Sequence, residues 1–157
     1  MRTIYKPLIG VSILALPLLA GALRLEVSDV AGKPEAQLKH AVLMARTTAC
    51  QSPEKTTITA TAEGIVNGVR RSIPLKVIPL ATGGTFAIAR EWPEQGTWAV
   101  KLVAANPEYK NYSTGVVVPF EKASIRLAAV QHYYHAPTDA EVAAALEKNT
   151  VARASIN

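Results

Sequence analysis

The chain has 157 residues, of which 49% are hydrophobic and 18% are charged. This length and composition are typical of one globular domain and exclude a wholly disordered chain. The formal net charge is +5, but the lysines and arginines form no dense block, and the nearest approach to one is Arg70-Arg71. Because a nucleic-acid groove needs clustered cations with aromatic residues between them, we expect no nucleic-acid partner.

The first 22 residues have the pattern of a secretory signal peptide. Arg2 and Lys6 form a positive start, residues 8–19 form an apolar run, and Ala20-Gly21-Ala22 supplies the small residues that signal peptidase recognises. We therefore expect cleavage after Ala22 and a periplasmic or secreted protein, whose charge falls from +5 to +3 when Arg2 and Lys6 are removed. The alternative is an uncleaved anchor over residues 7–23, which would be the chain's contact with a membrane.

Cys50 is the single cysteine of the chain. One cysteine excludes an intramolecular disulfide and any zinc or redox motif that needs two thiols. We interpret Cys50 as a small core residue. A bridge to another chain and a thiolate metal ligand are the alternatives.

The first half of the mature region has the pattern of short strands separated by turns. Alternating apolar residues predict a strand from Leu23 to Val30, ended by Gly32-Lys33-Pro34. The apolar run at residues 41–45 fits a buried strand or a helical turn, and its β-rich surroundings favour a strand. Residues 56–62 alternate threonine with apolar residues, which predicts a half-buried strand.

Turns and prolines divide the next stretch. Glu63-Gly64 and Asn67-Gly68 both predict turns, and Asn-Gly is the commonest two-residue hairpin connection. Residues 69–80 predict another strand. Pro74 and Pro79 cannot donate hydrogen bonds to a neighbouring strand, so this strand is expected at a sheet edge or to contain bulges.

Residues 85–103 form the most regular pattern, two alternating runs on either side of a turn. We interpret them as a β-hairpin, with Gly96 supplying a positive φ in its turn. The alternation predicts that Trp98 faces the core with Val100 and Leu102.

Two further strands are predicted, at residues 114–120 and 124–130. The total of seven to eight short strands without intervening helices is typical of an all-β sandwich or barrel, which we assign to residues 23–136. We see no internal repeat that would divide this domain further.

Residues 137–157 predict a C-terminal helix with a frayed tail. Thr138 and Glu141 have the spacing of a capping box, in which each side chain bonds the other's backbone N–H. Val142 and Leu146 lie four residues apart and form a narrow apolar stripe. We expect about three turns of helix, packed by this stripe on the sandwich, with fraying from Val151 onward.

The motif Glu94-x-Gly96-x-Trp98-x-Val100 resembles the corner that leads into strand F of immunoglobulin-like sandwiches. Trp98 stands where that family has its corner tyrosine, and Val100 stands where antibody domains have a cysteine. The resemblance covers residues 85–104 and is shared with small exported transthyretin-like modules. It implies an immunoglobulin-like antiparallel β-sandwich that serves as a binding or structural accessory.

Catalytic motifs are not evident in the sequence. It contains no Gly-x-Ser-x-Gly elbow, no phosphate-binding loop and no His-Glu-x-x-His pattern. The two aspartates, Asp29 and Asp139, are far apart, and the ten glutamates are scattered. We therefore expect neither an enzyme nor a cofactor.

The residues that best fit a metal site are His132 and His135, with His40, Met44 or Cys50 as a third ligand. Imidazole, thioether and thiolate ligands suit copper. Residues three apart on a strand point to opposite faces, so both histidines can bind one ion only if the chain turns there. The alternative is a strand end whose two intervening tyrosines cover the sandwich while the histidines contact water.

The sequence thus predicts a non-catalytic, exported binding or structural module of the cell envelope or extracellular space, with an unknown protein or surface as its partner. The alternative function is a periplasmic copper-binding protein that uses His132 and His135.

Overall fold

The computed structural model of the chain describes residues 23–48, 52–109, 112–121 and 124–154. The expected signal peptide and Cys50 therefore lie outside the described residues. Among these residues ten strands are present: β1 (Arg24–Ser28), β2 (Ala41–Thr48), β3 (Thr57–Val66), β4 (Val69–Pro74), β5 (Val77–Pro79), β6 (Thr85–Ala89), β7 (Thr97–Ala105), β8 (Ser113–Glu121), β9 (Ser124–Ile125) and β10 (Gln131–Tyr133). The α-helices are α1 (Pro34–Leu38) and α2 (Asp139–Ala154). None of the described helices has the length and apolar character needed to cross a bilayer.

The strands form two antiparallel sheets, which confirms the predicted all-β sandwich with a C-terminal helix. Sheet A has the strand order β1-β2-β6-β5, and sheet B has the order β10-β8-β7-β3-β4, with β9 pairing alongside β8. Ten strands are seen instead of seven to eight. The predicted strand at residues 69–80 is divided into β4 and β5, and β10 lies beyond the predicted strand at residues 124–130, after β9 and a 3₁₀ turn (Leu127–Ala129).

The main core lies between the two sheets and is built from alternate residues of their strands. Sheet A contributes Leu25, Leu43 and Ile88. Sheet B contributes many more residues, because its strands β3, β7 and β8 are long. As predicted, Trp98, Val100 and Leu102 face this core: Trp98 is 3% exposed and the other two are fully buried. Also, Gly96 has a positive φ of 94°.

The predicted hairpin over residues 85–103 is wrong. The two strands belong to opposite sheets, since β6 pairs with β2 and β5, whereas β7 pairs with β3 and β8. The segment between them crosses from one sheet to the other, and its Trp92 closes the end of the core against Phe120, at 5.0 Å between ring centroids. Two strands of alternating apolar residues around a turn are compatible with such a crossing as well as with a hairpin. The alternation indicates which side chains share a face, but not which strands pair with each other.

One of the two predicted turns after residue 62 is correct. Asn67 and Gly68 have φ values of 51° and 76° and join β3 to β4 as a tight hairpin. The other, Glu63-Gly64, is not a turn but part of β3. Gly64 pairs with Trp98 across the sheet, and any side chain at Gly64 would collide with the indole ring. Gly64 therefore leaves room for the large neighbouring side chain.

The prolines were correctly interpreted as edge residues. Pro74 ends β4 at the edge of sheet B, and Pro79 ends β5 at the edge of sheet A. The predicted strand at residues 124–130 is wrong over most of its length, since it forms only two residues of β9 before the 3₁₀ turn. Leu127 in that turn is 44% exposed, so the alternation there does not mark a buried face.

The predicted capping box at the start of α2 is confirmed. Thr138 N–H donates to Glu141 Oε2 at 2.7 Å, and Glu141 N–H donates to Thr138 Oγ1 at 3.3 Å. Val142 and Leu146 form the buried stripe, at 0% and 1% exposure. The helix has 16 residues, so it is longer than predicted and is helical through Val151, where fraying was expected.

Candidate functional site

The two outer faces of the sandwich are covered to different extents. On sheet B, α2 packs its buried stripe against Ala99 and Val117. On sheet A, the short helix α1 covers only a small cluster that centres on Ala36, Ala41 and Ala87. The rest of this face carries a groove of about 510 Å³, whose lining includes Glu26, Lys33, Ala36, Met44, Arg46 and Leu80. We call it the Met44 groove.

The alternation of β2 places two of these side chains in the groove. Leu43, Ala45 and Thr47 are buried, and the residues between them point to the other face. Met44 therefore lies half-buried on the floor of the groove, and Arg46 lies exposed beside it. Sequence analysis identified the strand but not the groove, because residues from four segments of the chain must come together to form it.

Some charged side chains of the groove form contacts within the protein, and others do not. Glu35 Oε1 accepts a hydrogen bond from Ala81 N–H at 3.1 Å, which fixes α1 to the loop after β5. Glu26 pairs directly with Arg46 in the β1–β2 register, yet no ion pair joins them. Arg46 and Lys33 have no ion-pair partner among the described residues, so both cations remain available to a ligand or partner.

The two histidines of the predicted copper site lie in different surroundings. His132 is on β10 opposite Val116, at the free edge of sheet B. His135 follows the strand, and its Nε2 lies 3.1 Å from Glu141 Oε1 in the first turn of α2. Within the described ranges, no group of three or more His, Cys, Asp or Glu side chains is placed to hold a metal ion.

The proposed third ligands are distributed over other parts of the fold. His40 is exposed in the connection between α1 and β2, with a positive φ of 54°. Met44 lies in the groove on the outer face of sheet A, away from the edge of sheet B that carries His132. Cys50 falls outside the described residues. The copper site therefore stays a prediction that a binding measurement must test.

The two tyrosines between the histidines have different roles. Tyr133 packs with the α2 cluster, as the alternative interpretation predicted, but Tyr134 is 72% exposed and does not cover the sandwich. Burial and the nearby charge of Glu141 raise the pKa of the Tyr133 hydroxyl. The backbone N–H of Thr138 lowers the pKa of Glu141, with smaller contributions from the Thr138 hydroxyl and His135. The contacts of Glu141 with His135 and Thr138 connect the residues after β10 to the start of α2.

A buried carboxylate, Glu63, was not predicted from the sequence, where Glu63-Gly64 was interpreted as a turn. It is 4% exposed on β3, accepts a hydrogen bond from Ser72 Oγ at 2.8 Å and lies 3.6 Å from Arg70 Nη2. Arg70 also lies 3.8 Å from Asp139 Oδ1 at the start of α2. Glu63 thus links β3, β4 and α2, which is a structural role.

Comparisons of the chain with protein-family models, with curated proteins and with solved structures found no match. The resemblance to immunoglobulin-like and transthyretin-like modules therefore stays a prediction from residues 85–104.

Proposed function

We propose that this protein is a non-catalytic, exported binding module whose Met44 groove receives a segment of a protein partner. The observation that carries the proposal is the unequal covering of the sandwich. On sheet B a 16-residue helix packs its buried stripe against Ala99 and Val117, whereas on sheet A the five-residue helix α1 leaves a groove of about 510 Å³.

The composition of the groove supports a protein partner. Met44, Ala36 and Leu80 give it an apolar floor, and Arg46 and Lys33 stand at its rim. An apolar centre with a polar rim is the usual anatomy of a protein–protein interface. Methionine suits such a centre because its flexible thioether adapts to partners of different shape.

The carboxylates of the groove support a non-catalytic role. Glu35 accepts from the Ala81 backbone, and Glu26 accepts from the Thr48 hydroxyl at 3.4 Å. Both therefore act as acceptors in contacts that hold the edge of the groove together. A screen with hydrolase and oxidoreductase substrates should detect no turnover; specific turnover that a point mutation abolishes would contradict this part of the proposal.

Export rests on the signal-like pattern of residues 1–22. Mass spectrometry of the protein recovered from the periplasm or medium should find a chain that begins at Leu23. A chain that retains Met1 in the membrane fraction would instead support the uncleaved anchor.

A charge reversal tests the groove itself. Tagged wild-type protein, Arg46→Glu and Arg71→Glu should be incubated with envelope extract from the host and recovered. Arg71 is an exposed residue of β4 in sheet B, so the same substitution there is a matched control. We expect a partner that wild type and Arg71→Glu retain and that Arg46→Glu loses. Equal recovery by all three proteins would contradict the assignment of the partner to the Met44 groove.

A further inference from the structure

Both sheets have a free edge on the same side of the sandwich. β1 is the edge of sheet A and β10 is the edge of sheet B. Between these edges is a cleft of about 290 Å³, lined by residues of β1, β8 and β10 and by Tyr134, which follows β10; the lining includes Arg24, Glu26, Thr114 and His132. We call it the β1–β10 cleft. Glu26 lines both this cleft and the Met44 groove, which lies on the outer face of sheet A.

The lining of this cleft combines an exposed aromatic ring with polar and charged side chains. Tyr134 is 72% exposed, which presents both its ring face and its hydroxyl. The side chains of Arg24 and His132 are exposed and make no hydrogen bond or ion pair to other described residues. The cleft therefore offers the Tyr134 phenol together with guanidinium donors, an imidazole and the Glu26 carboxylate, whose Oε1 also accepts from the Thr48 hydroxyl.

We propose that the β1–β10 cleft binds a neutral saccharide. A sugar ring has an apolar C–H face that stacks on a tyrosine ring, and a periphery of hydroxyls that both donate and accept hydrogen bonds. The Glu26 carboxylate accepts from such hydroxyls, and the Arg24 guanidinium donates to them. The volume of about 290 Å³ is at the lower end of small-molecule sites and fits one or two sugar rings.

The charges of the lining favour a neutral ligand. Arg24 and Glu26 are two residues apart on β1 and carry opposite charges. An anionic ligand would be attracted by Arg24 and repelled by Glu26, and a cation would meet the reverse. A ligand without net charge uses both side chains as hydrogen-bonding groups.

The same edges are poorly suited to an added peptide strand. β10 has only three residues, and the carbonyl of one of them, Tyr133, already accepts from Thr114 Oγ1 at 2.9 Å. β1 carries exposed charges at Arg24 and Glu26, a common protection of edge strands against strand addition. The edges therefore favour a sugar over an added strand, and peptide binding is the competing outcome of the test.

Saturation-transfer NMR tests the proposal with the protein purified from the cells that export it. The probes are a panel of neutral disaccharides (cellobiose, maltose, lactose and chitobiose) and the strand-forming peptide acetyl-Thr-Val-Thr-Val-Thr-amide. The variants are Tyr134→Ala, which removes the ring, and Tyr134→Phe, which keeps it. Val69→Ala is the control, because Val69 is 53% exposed on β4 at the opposite edge of sheet B.

We expect saturation transfer to at least one disaccharide with wild type, Tyr134→Phe and Val69→Ala, and about tenfold weaker binding with Tyr134→Ala. His132→Ala is a second variant that also weakens binding, should Tyr134→Ala lose its circular dichroism spectrum. The proposal is overturned if no disaccharide receives saturation, if the transfer is unchanged in a folded Tyr134→Ala, or, where Tyr134→Ala does not fold, if it is unchanged in His132→Ala. Transfer to the peptide alone, dependent on Tyr134, overturns it in favour of strand addition.

Discussion

The side-chain amide of Asn149, on α2, donates a hydrogen bond of 3.0 Å to the carbonyl oxygen of Phe120, on β8. Asn149 is 6% exposed, and the same amide lies 3.5 Å from the carbonyl of Trp98, the residue that pairs with Phe120 across the sheet. Its own oxygen accepts from Arg126 Nη1 at 3.2 Å. Asn149 thus fastens the second half of the helix to two adjacent strands, beyond the apolar stripe of Val142 and Leu146.

Removing this amide should destabilise the protein. We expect Asn149→Ala to lower the free energy of unfolding by about 1–3 kcal/mol, because it leaves buried backbone carbonyls without their donor. Urea denaturation followed by circular dichroism measures the change. Lys148→Ala is the matched control, since Lys148 is the exposed neighbour on the same helix, and it should stay within about 0.5 kcal/mol of wild type. An equal effect of the two substitutions would contradict the role of Asn149.

Trp98 stabilises the fold in two ways that can be separated. Its ring is buried in the main core, and its Nε1–H donates to the Gln95 carbonyl at 2.7 Å. The indole N–H therefore links the ring to the backbone that precedes β7. Trp98→Ala should cost about 3–5 kcal/mol. Trp98→Phe keeps part of the packing and should cost less; an unchanged melting temperature for Trp98→Ala would show that the ring does not support the core.

Two glycines with positive φ provide a test of close packing against backbone strain alone. A Cβ at Gly96 (φ 94°) would lie 2.5 Å from the Ile65 carbonyl oxygen, whereas a Cβ at Gly68 (φ 76°) meets nothing within 4 Å. Gly68→Ala should therefore cost about 1–2 kcal/mol from strain. Gly96→Ala should cost clearly more, because the neighbouring strand end must move as well. Equal thermal shifts for the two variants would contradict the close contact at Gly96.

Local patterns in the sequence predicted local structure well. Asn67-Gly68 fixed a hairpin because both residues tolerate positive φ. Thr138 and Glu141 defined the helix start because the capping box needs only a spacing of three residues. In each case the interaction that forms the structure lies within the pattern itself.

Features that depend on distant residues could not be predicted in this way. The alternation at residues 85–103 was consistent with a hairpin. In the structure β6 pairs with β2 and β7 pairs with β3, so the two strands belong to different sheets. Glu63-Gly64 has the composition of a turn. The actual role of Gly64, which leaves room for the paired Trp98, could not be predicted because Trp98 lies 34 positions away in the chain. The Met44 groove is likewise assembled from residues between Glu26 and Thr85, with no spacing that marks it.

Calorimetric titration with Cu(I) and Cu(II) tests the alternative function. Since Glu141 already holds His135, and His132 lies on the edge strand, we expect only weak binding that changes little in a His132→Ala/His135→Ala double variant. Sub-micromolar one-to-one binding that disappears in the double variant would establish the copper site and contradict this expectation. Met44→Leu, a substitution of similar volume, then tests whether the thioether is the third ligand.

The central claim, that the Met44 groove receives a protein partner, is tested most directly by site-specific photo-crosslinking in the living host. The photoreactive residue p-benzoylphenylalanine replaces Thr82 in the groove in one strain and Arg71 on β4 in another; both side chains are exposed. The proposed function predicts a discrete adduct from position 82, with the same partner each time, and none from position 71. No adduct at position 82, or the same adduct from both positions, would contradict it.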